Sequence, residues 1–416
     1  MKSVWTAFVL LISTISVGQA QNLQVVASHS ILADVVANVA GNAAEVSSLM
    51  PIGADPHSFT PRPSDLVGLA RADIIFINGA GFEEGLLEAI ENAGDDMTIA
   101  VASTCVQMLG FSGHHDHDHD HDHGEDMHDH DEEHDHDEEH DHDEEHDHDE
   151  EHDHDDSAVA QLCEQHVGEM AALHGHGHDE EHDHDEEHEH DHDEEHDHDD
   201  DHDHGHDAET LGMLYATECD ADHSHDDSAS HDDHNHGACD PHVWTEPHNV
   251  MYWTMFIRDT LIDLDPDNAD TYSANAAGYL ETLDTFAHDV MRPLVETVPA
   301  ENRLLITNHH ALGYFAQAYD FEVVETVIPG TSTLAEPSAA GIARIIDLVR
   351  EYNIPAIFSE TTVNDVVSQQ IAEETGATLH TLYTGSLSSA DEPASTYMDY
   401  MRYNVNTIVN ALGGGE

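Results

Sequence analysis

Hydrophobic positions along this chain follow two alternating rhythms, separated by a long stretch that has neither. In the first part, short apolar runs at 23–28, 45–50, 73–78 and 98–102 read as buried strands. Segments 30–40, 64–71 and 83–92 between them carry apolar residues at helical spacing. Such alternation predicts βα units around a parallel sheet. The rhythm resumes after residue 240. Segment 247–263 predicts a helix, and 267–298 predicts one long helix running almost uninterrupted to Arg292-Pro293. Strands are then expected at 303–307, 322–327, 356–359 and 378–382, and helices at 311–318, 335–351, 363–375 and 395–412. The simplest assembly is an α/β protein of two lobes joined by the long helix, with the cleft between them as the binding place.

The stretch without rhythm, 114–236, is low in complexity. The unit Asp-Glu-Glu-His-Asp-His recurs over 131–155 and again over 179–199. The segment holds 35 of the 43 histidines; with its flanks it holds 54 of the 90 acidic residues and no Lys or Arg. It has too few apolar side chains to offset the entropy of ordering, so disorder is expected without metal. Two apolar interruptions, 159–173 and 211–215, predict transient helix at most. A formal charge of −81 repels nucleic acid and anionic membranes and attracts cations.

Residues 1–20 have the pattern of a secretory signal: Lys2, an apolar run, then Gly18-Gln19-Ala20. No cysteine lies near that cleavage point, and no later apolar run is long enough to span a bilayer. The expected product is a soluble, monomeric protein of the periplasm with no stable membrane insertion. Cys105, Cys163, Cys219 and Cys239 all flank or interrupt the acidic stretch. Two disulfides pinning its base are the plain expectation, and three pairings are open. The expected layout is a signal at 1–20, a first lobe at 21–265 carrying the insert at 113–237, a linking helix at 266–298 and a second lobe at 299–416.

The sparse histidines outside the insert carry the chemistry. His57 lies in Gly-Ala-Asp-Pro-His-Ser-Phe after the second strand, and His242 in Asp-Pro-His-Val-Trp after the insert. His309 follows the first strand of the second lobe, and Glu360 follows 356–359. His57, His309 and Glu360 sit at the carboxyl ends of strands, where open α/β sheets bind ligands. Three imidazoles and a carboxylate or water suit Zn2+, whereas manganese or magnesium favours more oxygen. His29, His248, His288, His310 and His380 are read as core or surface residues. Trp244 and Tyr314 are read as packing residues.

Segments 53–59, 78–83 (NGAGFE), 240–244, 309–315 (HHALGYF) and 397–411 together resemble the metal-binding receptors of zinc and manganese ABC transporters. The resemblance implies two (β/α)4-like lobes joined by a rigid helix, ligands at His57, His242 and His309, and a membrane permease as partner. Manganese members carry glutamate where His309 stands and aspartate where Gly385 stands, so the sequence is identified with the zinc branch. The fourth ligand is then left to water, Glu360 or the insert. The alternative is an extracytoplasmic metal storage or buffering protein. An enzyme is not expected, because outside the low-complexity stretch no His-Glu-x-x-His occurs.

Overall fold

The computed structural model describes residues 22–83, 85–86, 89–90, 97–110, 156–174 and 239–413. The signal segment 1–20, the insert's repeats, the expected helix at 211–215 and Cys219 lie outside these residues.

Two four-stranded parallel sheets form, with the same topology. The first has β1 (Leu23–Ala27), β2 (Ala44–Ser48), β3 (Ile74–Ile77) and β4 (Thr98–Val101), in the order β2-β1-β3-β4. The second has β5 (Leu304–Thr307), β6 (Glu322–Thr326), β7 (Ala356–Glu360) and β8 (Thr378–Leu382), in the order β6-β5-β7-β8. All four residues of β3 and all five of β7 are buried. A parallel strand covered on both faces needs such a continuous apolar run. In each sheet the order reverses beside the first strand, which opens a crevice beyond the strand ends.

Local chemistry sets the helix boundaries. Helix α1 (Ser30–Ala40) starts where His29 Nδ1 accepts the Leu32 amide, and it buries Ile31, Leu32, Val35, Val36 and Val39. A five-residue helix, α2 (Asp65–Leu69), precedes β3. Helix α4 (Pro247–Leu264) begins with a proline in its first turn and the Glu246 carboxylate capping Asn249 N.

The expected single helix over 267–298 is interrupted. Helix α5 (Ala269–Thr285) passes into a π-helical turn, Phe286–Met291, before a last α-helical turn, α6 (Arg292–Val295). Pro293 has no N–H to offer the turn before it, and widening that turn accommodates the loss. In the second lobe, α7 (Gly313–Tyr319), α8 (Ala339–Tyr352), α9 (Val366–Thr375) and α10 (Tyr397–Ala411) lie near their expected places. Helix α8 starts four residues late because Pro337 disfavours helix before it, and Ser338 caps Gly341 N.

The insert contributes one docked element, where only transient helix was expected. Helix α3 (Asp156–His174) is tied to the turn after β4 by the Cys105–Cys163 disulfide. Arg258 of α4 holds Glu169 at 2.7 and 3.2 Å, and His166 Nε2 meets Asp259 Oδ2 at 2.8 Å. Cys239 is also disulfide-bonded, and a Gly110–Cys239 bridge closes the insert's base. Among the described residues no helix is long and apolar enough to cross a membrane.

Candidate metal centre

Three loops deliver the expected histidines to one point. His57 follows β2. Asp55 Oδ1 accepts the His57 amide at 3.1 Å, and its Oδ2 accepts Ser58 Oγ at 2.8 Å and Thr333 Oγ1, from the opposite lobe, at 2.7 Å. His242 is held by Asp240 Oδ1, which meets its backbone N at 3.0 Å and its Nδ1 at 2.8 Å. His309 follows β5, and Glu360 Oε1 meets its N at 3.2 Å and its Nδ1 at 2.6 Å.

The Nε2 atoms then converge. His57 and His242 are 3.2 Å apart and His242 and His309 are 3.1 Å apart. Ring centroids are separated by 4.9 to 5.4 Å, with interplanar angles of 62 to 81°. Tetrahedral zinc with bonds of about 2.0–2.1 Å places its ligands about 3.3 Å apart, close to this spacing.

Asp240 and Glu360, as carboxylates, can only accept, so they fix a proton on Nδ1 of His242 and of His309. In the neutral tautomers two Nε2 lone pairs therefore face each other at 3.1 Å. That arrangement calls for a cation between them, either a proton or a metal ion.

The electrostatics agree. Burial, then repulsion from His242 and His309, lowers the His57 pKa to about 2. Burial holds His242 well below its ordinary value. Burial alone would lower His309 too, but the Glu360 carboxylate outweighs it, with Asp240 and Asp55 adding to the pull, and raises that group. Glu360 is correspondingly lowered: its burial is outweighed by His309 and by the Thr384 hydroxyl.

Glu360 thus stands behind His309 and not among the gathered nitrogens. Its Oε1 is taken by His309 and its Oε2 by Thr384 Oγ1. Strand β7 runs one residue further than the sequence suggested, which buries Glu360 at the strand end. The wall of the site comes from 78–83. Buried Glu83 accepts the Asn78 and Gly79 amides and the Ser28 hydroxyl, which fixes a turn with positive φ at Gly79, Ala80 and Gly81. That turn presents Phe82 edge-on to His57, with centroids 5.4 Å apart.

Hydrogen bonds lock the lobes around the site. Trp244 Nε1 donates to the Thr384 carbonyl at 2.9 Å, Gly53 N donates to Ser386 Oγ at 2.8 Å, and Leu387 N donates to Ser30 Oγ at 2.9 Å. Tyr314, expected only to pack, donates to the Asp240 carbonyl and accepts Leu109 N, so it ties both ends of the insert to the site.

His29 is a buried cap amid Phe82, Trp244 and Trp253, its pKa lowered by burial to about 3. His310 Nε2 lies 3.8 Å from Asp240 Oδ2. His380 pairs with Thr378. His248 and His288, read from sequence as core or surface residues, come together with His174 and Asp284. The Asp284/His288 spacing of four on a helix was the one signal for that cluster, and the His174 side of it gave none.

The family described as zinc-uptake complex component A, periplasmic, matches residues 25–411. The chain is 26% identical to the manganese-binding lipoprotein MntA of Halalkalibacterium halodurans, with 99% of each chain covered. Its fold is similar to the periplasmic zinc binding protein TroA of Treponema pallidum, with a TM-score of 0.61 at 19% identity over 94% of this chain and 99% of that one. It is similar also to the Mn-bound periplasmic metal binding protein from Candidatus Liberibacter asiaticus, with a TM-score of 0.58 at 21% identity over 94% of this chain and 100% of that one. The chain belongs to the zinc-uptake complex component A family, the periplasmic metal-binding receptors of ABC transporters, and is a receptor rather than an enzyme.

Proposed function

We propose that the transported ion is Zn2+, held in the cleft by His57, His242 and His309 and passed to the permease of an ABC importer. Asp240 and Glu360 orient two of the ligands, and the fourth position is open to water. The observation that carries this reading is the pair of Nε2 lone pairs facing each other at 3.1 Å.

The choice of zinc over manganese rests on the donor set and on Gly385. A Cβ built at Gly385 meets Pro56, the residue before His57, at 2.8 and 2.9 Å. The close approach of these two loops leaves no space for the aspartate that would supply an oxygen-rich site. Relatives named for manganese make this the point to test.

The test is a competition titration on a variant that keeps α3 but replaces 113–155 and 175–237 with short linkers. One tight zinc equivalent that displaces manganese is expected. Tighter manganese binding would sink the assignment. The insert is read as a store of weaker, interchangeable imidazole sites that keeps zinc near the cleft. A storage protein with no receptor role would show no tight equivalent in the same titration.

A further inference from the structure

A second gathering of imidazoles lies outside the cleft, where the insert's helix meets the scaffold. His174 is the last residue of α3, His248 the second of α4, Asp284 lies in the last turn of α5, and His288 is in the π turn that follows. One potential ligand atom from each lies within 4.8 Å of those of the other three. We propose that these four residues form a second site for an imidazole-seeking divalent ion such as Zn2+, and that the ion staples the end of α3 to the scaffold.

Three independent features point there. The rings repeat the cleft geometry: the three centroid separations are 5.4, 5.3 and 5.2 Å, with interplanar angles of 74, 76 and 81°. Imidazoles that bind metal characteristically give their other ring nitrogen to a carboxylate or carbonyl. Here His248 Nδ1 meets Glu246 Oε1 at 2.6 Å, and His288 Nδ1 meets the Asp284 carbonyl oxygen at 3.1 Å, which leaves Nε2 of each for the ion. Finally, Asp284 Oδ1 is buried and accepts no hydrogen bond among the described residues. His174 Nε2 at 3.3 Å and His288 Nδ1 at 3.0 Å approach this oxygen without the alignment of a hydrogen bond. A buried oxygen without a donor needs an explanation, and a cation supplies one.

The donor set has a chemical preference. Three nitrogens and one carboxylate oxygen suit zinc and do not suit Ca2+ or Mg2+, which seek six or more oxygens. His288 lies in the π turn, and such turns concentrate at functional sites. The position matters as well. Immediately after His174 the sequence resumes its histidine repeats, beginning with His176 and His178. An ion here fixes the point from which that arm of the insert departs, and the Cys105–Cys163 disulfide already fixes the middle of the same helix.

The test is hydrogen exchange of the full-length protein with and without saturating Zn2+, read at the amides of residues 171–174. Zinc is expected to slow exchange there about tenfold or more in the wild type and equally in His242→Gln, which disables the cleft alone. The slowing should vanish in His288→Gln and in Asp284→Asn; His288 is 42% exposed and is not among the buried residues of its turn. The inference is overturned if zinc does not slow these amides, if the slowing survives both substitutions, or if Ca2+ at the same concentration slows them equally. Because His242→Gln is included, failure of this site and failure of the cleft assignment read out separately.

Discussion

The cleft triad and the triad at the end of α3 use the same three side chains at nearly the same ring spacing, and they differ in their surroundings. In the cleft, His242 and His309 are 1 and 3% exposed at the side chain, and each is aimed by a buried carboxylate. At the α3 site, His174 and His288 are 40 and 42% exposed, and the acid is itself a member of the cluster. Burial and pre-aimed tautomers favour affinity, because the reorganisation is complete before the ion arrives. Exposure favours rapid exchange with solvent. On the proposed assignments one set of donors serves a tight site and a loose one, and burial separates them, since His248 too has a buried carboxylate, Glu246, behind its ring.

The largest expected effect that tests this contrast is on the cleft ligands. His57→Ala, His242→Ala or His309→Ala should each weaken the tight zinc equivalent by more than about a hundredfold in isothermal titration, while His288→Ala leaves it unchanged. An unaltered affinity in any of the three would remove that residue from the site.

Next in size is the aiming carboxylate. Glu360→Gln should cost roughly ten- to a hundredfold in zinc affinity without changing stoichiometry, since it disturbs the His309 tautomer and not a metal bond. If Glu360→Gln instead matched the loss seen in His309→Ala, Glu360 would be a ligand after all.

Above pH 6, where Asp240, raised by burial to about 6, is ionised, the pH dependence should come from His309 alone. Zinc needs neutral imidazole, and in the metal-free protein only His309 of the three has a raised pKa, through Glu360. His57 and His242 are already neutral far below neutral pH. Below the His309 pKa, zinc must displace one proton, and apparent affinity falls about tenfold per pH unit; above it, affinity is level. Titration in buffers of different ionisation enthalpy measures the proton count, and release of two or three protons would refute this assignment.

The smallest expected effect concerns the tether. Replacing Cys105 and Cys163 with serine frees α3 from the turn after β4, so His174 must be brought to its partners at an entropic cost. Zinc protection of residues 171–174 should weaken by about tenfold or less, with cleft affinity unchanged. A parallel loss in the cleft would show that the two triads are coupled.

Much of the frame was legible because parallel strands announce themselves. Runs such as Ile74–Ile77 must be apolar on both faces, whereas the helical spacing of the sequence runs past the cap at Ser338 and places α8 four residues early. Strand ends then pointed to His57, His309 and Glu360. Position at a strand end does not reveal which group a carboxylate serves, so the place of Glu360 behind His309 needed coordinates. The docking of α3 was invisible for another reason. Its partners Cys105 and Arg258 lie 58 and 89 residues from their contacts, and no local pattern records such pairings. His288 shares a helical face with Asp284, four residues earlier, but its other partners, His174 and His248, come from distant segments.

The division of the cleft imidazoles between two sheets has a mechanical consequence. His57 follows β2 of the first sheet and His309 follows β5 of the second, so the number of bonds to the ion depends on how far apart the lobes stand. Bonds to zinc are about 2.0–2.1 Å long and fall away steeply beyond that. Moving the second lobe by little more than an ångström would subtract His309 and leave the ion only two protein ligands and a far shorter dwell time. A permease that pries the lobes apart therefore needs no chemistry on the metal itself. It acts as a lever on the Trp244–Thr384 and Gly53–Ser386 latches, and unloading becomes a question of force and distance.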